Sequence, residues 1–392
     1  MQSFQSFLAD PHPKKIGLGI GAYRDDDGKP VVFNAIRKAE ARICKKNLSK
    51  EYYTVDAHPT FIKGSQKLVF GENNPAIEEG RIATIQTISG TGALYILAEF
   101  LHAHFPDRIT LLPTPSWVNH PPTFKHAGLN TQYYRYYDKT TSEIDFDGFT
   151  EDLSVADDGS IVLLHACCHN PTGMDPTEQQ WDKLAEVIKG KKMIAFFDMA
   201  YQGFGSGDLD KDAYAVRKFA DEGIPLMLAQ SYSKNMGLYG ERVGAAHIVA
   251  PDKETAVALT SQLCHLSLSY VASCPLQGNR IVMEVFEDPE LCAEWLGNFK
   301  EAAARLASIR QRLKDELEGL KVPGDWSHLT KQRGMFSYTG LTAEQVEYLK
   351  EKYHIYMTED GRISVTGLTT KNVEYFAMAV KEAIEATTSS SQ

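Results

Sequence analysis

A lysine and a carboxylate each follow a short apolar run of this chain of 392 residues. The run PLMLA ends at Ala229, and Lys234 stands five residues further on. The run MIAFF ends at Phe197 and is followed at once by Asp198, with Tyr201 three residues later. A lysine amine that is removed from water loses its proton more easily and can form an imine with a carbonyl compound. A nearby carboxylate and phenol would supply a charge and a hydrogen bond for such chemistry.

A third apolar run leads into a glycine-rich turn, Ser89-Gly90-Thr91, and an apolar helical stretch follows. Free backbone N–H groups and the helix dipole at such a turn favour a phosphate group. Arg242 could hold the same phosphate through two parallel hydrogen bonds. Each feature also has an ordinary interpretation: the turn only caps a helix, and Arg242 only pairs with Glu241 on the surface.

Taken together, the lysine, the phosphate cradle and the carboxylate suggest pyridoxal phosphate. Asp198 would pair with the pyridinium nitrogen and keep it protonated, which maintains the ring as an electron sink. Tyr201 would hydrogen-bond near the ring oxygen. Taken singly, Asp198 is expected to cap the next helix and Tyr201 to pack in the core. Their occurrence in this order favours the cofactor.

The elements that must position these residues form an alternating pattern. Strand and helix signals alternate from about Pro30 to Glu290, which predicts an α/β fold with a mainly parallel sheet. Two further apolar runs, Ile109–Leu112 and Ile161–Leu164, also end in polar segments. Ligands of open α/β sheets lie outside the carboxyl ends of the strands, so we expect all five run ends to meet there.

The remaining segments predict a second, smaller domain. A long helix is expected from Trp295, and Gly334–Tyr338 and Ile363–Thr366 are expected to be strands. The predicted division is a large cofactor-binding domain over 30–295 and a small domain formed by 1–29 and 296–386. Residues 387–392 are expected to form a disordered tail.

Composition restricts the functional classes. The net charge of −10 argues against nucleic acid and anionic membranes as partners. No apolar run approaches the ~18 residues of a membrane span, and no secretory signal is visible. The six cysteines suit a reducing compartment and show no metal-binding spacing, so we expect a cytoplasmic protein without a metal. Cys167 and Cys168 are expected to pack at a strand end, and Cys274 either packs or faces substrate.

Six segments in succession resemble the aspartate aminotransferase family, fold type I of the pyridoxal phosphate enzymes, and its cytosolic eukaryotic branch in particular. The resemblance extends from about Pro13 to Thr388. The segments are LGIGAYRDDDGKP (Leu18–Pro30), SGTGAL (Ser89–Leu94), HACCHNPTGMDPT (His165–Thr177), FDMAYQGF (Phe197–Phe204), SYSKNMGLYGERVG (Ser231–Gly244) and GRISVTGL (Gly361–Leu368).

The resemblance implies a role for each matching position. Lys234 would carry the cofactor and move the proton, with Asp198 and Tyr201 as the other catalytic residues and His120 supporting Asp198. The implied cofactor contacts are Ser89, Gly90, Thr91, Trp117, Asn170, Ser231, Arg242 and, reaching the site of a partner subunit, Tyr52. The implied substrate contacts are Gly21, Trp117, Asn170, Phe336, Leu268 and Arg362, the last gripping the α-carboxylate.

The chain departs from the family at Leu268, where the family has an arginine, contributed by the partner subunit, that pairs with the side-chain carboxylate of aspartate or glutamate. An unpaired carboxylate in a closed site is costly, so we expect apolar, aromatic or broad specificity instead. Another cation, His265 or Arg24, could compensate. The chain also begins closer to Pro13 than family members do, which is expected to weaken the dimer or open the entrance, and Gly17 replaces the usual asparagine.

Three functions remain open at this point. The first is an aminotransferase of altered specificity that exchanges an amino group between an amino acid and a 2-oxo acid in a homodimer with shared sites. The second is a lyase, decarboxylase or carbon–carbon bond-forming enzyme that uses the same cofactor. The third is a non-catalytic relative, which the presence of Lys234, Asp198 and Arg242 disfavours.

Overall fold

The computed structural model describes residues 2–389, and its strands build one large sheet and three small ones. The strands are β1 (Ile16–Gly17), β2 (Ile82–Ile88), β3 (Ile109–Thr114), β4 (Asn130–Arg135), β5 (Tyr137–Asp138), β6 (Glu143–Ile144), β7 (Ile161–His165), β8 (Ile194–Met199), β9 (Leu226–Ser231), β10 (Val243–Val249), β11 (Phe336–Tyr338), β12 (Ile355–Tyr356) and β13 (Arg362–Ser364).

The helices cover the sheets and connect them. They are α1 (Gln2–Ala9), α2 (Asn34–Lys46), α3 (Pro59–Phe70), α4 (Pro75–Glu78), α5 (Ser89–His104), α6 (His120–His126), α7 (Phe146–Val155), α8 (Glu178–Gly190), α9 (Leu209–Asp212), α10 (Tyr214–Asp221), α11 (Lys253–Val271), α12 (Leu276–Glu287), α13 (Pro289–Gly319), α14 (His328–Lys331), α15 (Ala343–Tyr353) and α16 (Val373–Ser389), with one 3₁₀ turn at Val365–Gly367. Among residues 2–389, no helix has both the length and the apolar character needed to cross a bilayer.

The large sheet has seven strands in the order β2-β10-β9-β8-β7-β3-β4. Neighbours from β9 to β4 pair in parallel, and β10 runs antiparallel to both β2 and β9. The predicted mainly parallel α/β sheet is therefore confirmed. Because β10 is reversed, the residue that precedes it lies at the same edge as the carboxyl ends of β2 and β9.

The central strands are buried on both faces. All side chains of β7, β8 and β9 are buried, as expected for parallel strands with helices on either side. Side chains alternate along β8: Phe196 packs with Phe124 in one apolar cluster, and Phe197 packs with Trp181 and Phe219 in the other. Two cores thus fix the strand register on which the polar residues at the strand ends depend.

The long helix α13 joins the sheet to the C-terminal elements. It begins at Pro289, six residues before the predicted start, with Asp288 accepting hydrogen bonds from the first turn. The buried Arg310 in α13 donates to the carbonyl groups of Leu329, Gly334 and Phe336. This one guanidinium therefore shapes the segment that leads into β11. The predicted strands Gly334–Tyr338 and Ile363–Thr366 correspond to the shorter strands β11 and β13, which pair with each other. The pair β1–β12 was not predicted from the sequence.

The prediction of a disordered tail from residue 387 is wrong for its first three residues. Helix α16 continues to Ser389, so residues 387–389 are helical, and residues 390–392 lie outside the described part of the chain. The hydroxyl of Thr387 donates to the carbonyl of Ala383 and accepts a hydrogen bond from Gln345. These bonds extend a helix that the polar composition did not suggest.

Glycine at position 244 is required by the packing of β10 against the start of α5. A Cβ there would lie 2.4 Å from the carbonyl carbon of Ser89 and 2.5 Å from the carbonyl oxygen of Gln230. Both contacts are with backbone, so we predict that Gly244→Ala lowers the free energy of unfolding by at least about 1–3 kcal/mol, measured by urea denaturation. Gly240→Ala is the matched control, because a Cβ at Gly240 meets nothing within 4 Å. Equal stability of the two variants would contradict the packing described.

Candidate active site

The carboxyl ends of the parallel strands converge on one cavity of about 250 Å³. The strand register sets His165 beside Asp198, and Asp198 beside Ala229, so the residues that follow these strands share one edge. The cavity brings together most of the predicted site residues. It is lined by Gly21, Ser89, Gly90, Thr91, Leu94, Trp117, His165, Cys167, Asn170, Asp198, Ala200, Tyr201, Ser231, Ser233, Lys234, Tyr239 and Arg242.

The carboxylate of Asp198 is the buried anion of this cavity. It lies within β8 and caps no helix, and Nε2 of His120 is 2.9 Å from its Oδ2. Burial opposes its ionisation, but the hydrogen bond and charge of His120 outweigh burial, so the pKa of Asp198 lies below its usual value. The other ring nitrogen of His120 is 2.8 Å from Oγ of Ser116. His120 is therefore held at both nitrogens, as expected for a support of Asp198.

Lys234 is held in the loop that follows β9. The indole N–H of Trp295 in α13 donates to the carbonyl of Asn235, at 2.6 Å, which fixes the loop next to the lysine. The amine of Lys234 is 5.0 Å from the ring centre of Tyr201. Burial lowers the pKa of this amine to about 8, although the charge of Asp198 opposes part of the fall. Burial also raises the pKa of Tyr201, so its phenol remains a hydrogen-bond donor.

Three hydroxyl groups and one guanidinium meet at the first turn of α5. Oγ of Ser89 lies 3.3 Å from Oγ of Ser231 and 3.0 Å from Oγ of Ser233, and Arg242 donates to Ser233 at 3.3 Å. A Cβ on Gly90 would lie 2.9 Å from Cβ of Ser231, so glycine keeps the turn close to β9. These donors at the start of a 16-residue helix suit a phosphate group.

Some residues of the cavity were not assigned from the sequence. Ser233 follows Ser231 by two positions, and this spacing was a usable signal because alternate residues of an extended segment share a side. His165 was noted only as a strand end. Burial lowers its pKa to about 3, so its ring is neutral at neutral pH. Tyr239 also lines the cavity, and its hydroxyl accepts a hydrogen bond from the backbone N–H of Tyr23.

A second cation lies beside the cavity, at Arg362. Its guanidinium is 4.4 Å from the ring centre of Phe336 and donates to Oδ1 of Asn170 at 3.3 Å and to the carbonyl of Gly19 at 3.0 Å. Its Nε is buried without a hydrogen-bond partner. The ring of Phe336 lies so close to Gly21 that a Cβ on Gly21 would be 2.3 Å from it. An incoming carboxylate could accept the unused N–H of Arg362.

Two predicted site residues lie away from the cavity of their own chain. The side chain of Tyr52 is 81% exposed and that of Leu268 is 52% exposed, and neither lines the cavity. Both positions were expected to act across a subunit boundary, so their roles stay predictions.

The residues present fit pyridoxal phosphate at both ends of the molecule. The hydroxyl cluster with Arg242 would hold its phosphate, and Asp198 would pair with its ring nitrogen. Trp117 lines the cavity and stands edge-on to His120, with ring centres 5.3 Å apart. The cofactor, when bound, supplies a carbonyl for covalent attachment and an electron sink.

The lowered pKa of Lys234 predicts a pH dependence for cofactor uptake. The amine must be deprotonated to attack an aldehyde, so the rate at which cofactor-free protein takes up pyridoxal phosphate should rise with pH to a plateau, with a midpoint near 8. We propose to measure it by borohydride trapping and mass spectrometry. Asp198→Asn should move the midpoint to lower pH, because Asp198 raises the pKa of Lys234. A midpoint near that of free lysine, about 10.4, would contradict the burial.

Comparison with known proteins agrees with this geometry. Residues 13–380 match the model of the family described as aminotransferase class I and II. The chain is 47% identical over 380 residues to the cytoplasmic aspartate aminotransferase of Oryza sativa subsp. japonica, covering 97% of this chain and 93% of that protein. It is 49% identical over 360 residues to the mitochondrial aspartate aminotransferase of Xenopus tropicalis, covering 92% and 84%.

A solved structure adds the cofactor. The aromatic-amino-acid aminotransferase of Burkholderia pseudomallei, covalently bound to pyridoxal phosphate, superposes with a TM-score of 0.96 at 39% identity, covering 97% of this chain and 96% of that one. The family match and these relatives confirm the resemblance found in the sequence. The chain belongs to the aminotransferase class I and II family, and it is a pyridoxal phosphate-dependent aminotransferase related to aspartate aminotransferase.

Proposed function

We propose that this aminotransferase prefers amino acids with apolar or aromatic side chains over aspartate and glutamate. The observation that carries the proposal is Leu268, an exposed apolar side chain on α11 at the position where the resemblance expects an arginine. Moving a carboxylate from water into the site without a cation beside it has an unfavourable desolvation free energy. Attraction to distant charges is too weak to offset that penalty. An apolar side chain has no such cost.

The two cations that could compensate have other surroundings. Nη1 of Arg24 donates to the carbonyl of Gly28, and Arg24 lines a different cavity, with Phe7 and Lys371. His265 is exposed on α11 and, like Arg24, does not line the cofactor cavity. We therefore do not assign Arg24 to the substrate side chain. His265 lies three residues before Leu268 on the same helix, so it would reach a substrate only where Leu268 does, in the site of a second copy.

Two residues of this chain have separate roles: Arg362 holds the substrate and Lys234 moves a proton. Arg362 binds the α-carboxylate that all amino acids share, since its guanidinium is oriented by Asn170 and Gly19 and retains an unused N–H. Lys234 would take and return the proton at the α-carbon of the amino acid, and the bound cofactor would supply the electron sink that makes this proton acidic. An amine of pKa about 8 suits this role, because it both gains and loses a proton near neutral pH.

We further propose a homodimer in the cytoplasm. Tyr52 and Leu268 are exposed and do not line the cavity of their own chain, and we assign them to the active site of a second copy, so that each site needs residues of both chains. The similarity to a cytoplasmic relative supports this compartment, and the six cysteines, none of which forms a disulfide bond, suit its reducing conditions. A mitochondrial relative is equally similar.

The direct test of specificity is a panel of amino donors with one 2-oxo acid acceptor. Phenylalanine and leucine should give a higher kcat/KM than aspartate, and the amino donor should be recovered as its own 2-oxo acid. Release of carbon dioxide or ammonia instead would identify the alternative chemistry that the same cofactor supports. A preference for aspartate would contradict the proposal.

The role of Lys234 predicts the outcome of its removal. Lys234→Ala should lower kcat by at least about a thousandfold, because the variant lacks both the covalent attachment and the proton carrier. The circular dichroism spectrum should not change, since alanine removes only atoms that face the cavity. Multiple turnovers at the wild-type rate would refute this role.

The role of Leu268 predicts a gain of function. Leu268→Arg should raise kcat/KM for aspartate at least about tenfold, the effect of one charge-assisted pair of hydrogen bonds. It should not raise the value for phenylalanine. The matched control is Val257→Arg, which adds the same charge at an exposed position of the same helix. If both variants leave aspartate kinetics unchanged, position 268 does not reach the substrate.

A further inference from the structure

Two adjacent thiols lie against a buried carboxylate on the inner side of the cofactor cavity. Cys167 and Cys168 follow β7, and Asp212 is the last residue of α9. The three side chains are buried, and each offers one ligand atom within 4.8 Å of the others. Adjacent cysteines were expected only to pack at the strand end, because no motif of the sequence indicates that α9 places a carboxylate beside them.

We propose that Cys167, Cys168 and Asp212 form a binding site for a thiophilic divalent cation of the zinc or cadmium type. In a tetrahedral zinc site, bonds of about 2.3 Å to sulfur and 2.0 Å to oxygen place neighbouring ligand atoms about 3.5–3.8 Å apart. The three atoms must therefore approach by about an ångström, which small side-chain rotations achieve. Three protein ligands leave a fourth position for water, an arrangement common in zinc proteins.

Asp212 is oriented for this role by its neighbours. Its Oδ2 accepts hydrogen bonds from the backbone N–H groups of Gly203 and Gly205, and its Oδ1 accepts one from Ser206. Each carboxylate oxygen has two lone pairs, so Oδ1 retains one for a cation. Metal ligands are commonly held by such outer hydrogen bonds, which fix their direction.

The local charge favours a cation at the thiols. Asp175 lies on the far side of Cys168 and accepts hydrogen bonds from the backbone N–H groups of Cys168 and His169. The carboxylates of Asp212 and Asp175 therefore place negative charge near the two thiols, and negative charge attracts a divalent cation. A bound cation would displace both thiol protons into solvent and form two metal–sulfur bonds. Two cations oppose it: the buried Arg310 acts on Cys168, and Arg333 acts on Asp175 and Asp212.

The route to the site runs through the cofactor cavity. Cys167 lines that cavity, whereas Cys168 is covered by Gly334, whose added Cβ would come within 2.8 Å of its sulfur. Bound pyridoxal phosphate should therefore hinder entry of the cation, and a bound cation should slow cofactor loading. The rate of cation binding would therefore differ between the cofactor-free and the cofactor-bound enzyme.

The test adds cadmium chloride to the full-length protein with and without pyridoxal phosphate. The cofactor-free protein should bind one cadmium ion per chain, with the ultraviolet absorbance of cadmium–thiolate bonds, and X-ray absorption should show two sulfur neighbours. The holoenzyme should bind at least about tenfold more slowly. Fewer than two sulfur neighbours would overturn the site, and equal rates would overturn the proposed route.

Cysteine variants locate the ion. Cys167→Ala and Cys168→Ala should each lose the stoichiometric cadmium ion, whereas Cys274→Ala should retain it. Cys274 is also buried, but its thiol donates to the carbonyl of Gln86, and within residues 2–389 it belongs to no group of three potential ligands. Retention by Cys168→Ala would overturn the site. If either variant fails to fold, the count of sulfur neighbours in the wild-type protein decides the question alone.

Discussion

The active site depends on keeping one buried carboxylate ionised. Asp198 stands in a fully buried strand, where burial alone would favour its neutral form. His120 reverses that preference, and Ser116 holds the second nitrogen of His120, so the ring presents Nε2 to the carboxylate. A neutral Asp198 would no longer hold the cofactor ring nitrogen in its protonated form, and it would also lower the pKa of Lys234 further. The charges of His120, Asp198 and Lys234 are thus coupled, and the coupling depends on the hydrogen bond between His120 and Asp198.

The rest of the fold keeps the other groups at fixed distances from that carboxylate. Two apolar clusters grip alternate residues of β8, which prevents the strand from slipping by one position and turning Asp198 away. On the opposite side, Trp295 holds the carbonyl beside Lys234, and Arg310 holds the carbonyl groups of the segment that carries Phe336. Helix α13 therefore positions both the lysine loop and the substrate side through hydrogen bonds to backbone carbonyls.

The sequence predicted the parts of the site that follow from the ends of parallel strands. Lys234, Asp198 and Ser89 were placed together because each of them follows the end of an apolar run within five residues. Ser233 was missed although its spacing of two residues from Ser231 was a usable signal, whereas Ser116 was missed because the direction of its hydroxyl depends on the turn that carries it, and no periodicity encodes that direction. The hydrogen bond from Trp295 to the carbonyl of Asn235 could not be predicted either, because every residue has a backbone carbonyl and the residue type does not show which one accepts. Residues 387–389 were wrongly predicted to be disordered. Their polar composition favoured disorder, and the hydrogen bond from Gln345 to Thr387 could not be predicted from composition.

With the roles proposed for Arg362 and position 268, separate groups would recognise the two ends of the substrate, so that specificity can change while the chemistry stays. Arg362 is fixed by Asn170, Gly19 and Phe336, all within one chain, so the α-carboxylate contact does not depend on the side chain of the substrate. Position 268 lies on an exposed part of α11, outside the hydrogen-bond network of Asp198 and Lys234. Exchanging an arginine for a leucine there removes a charge without disturbing that network. On the proposed assignment, the chain would lose the contact that selects dicarboxylates while Asp198, Lys234 and the hydroxyl cluster at the start of α5 keep their positions.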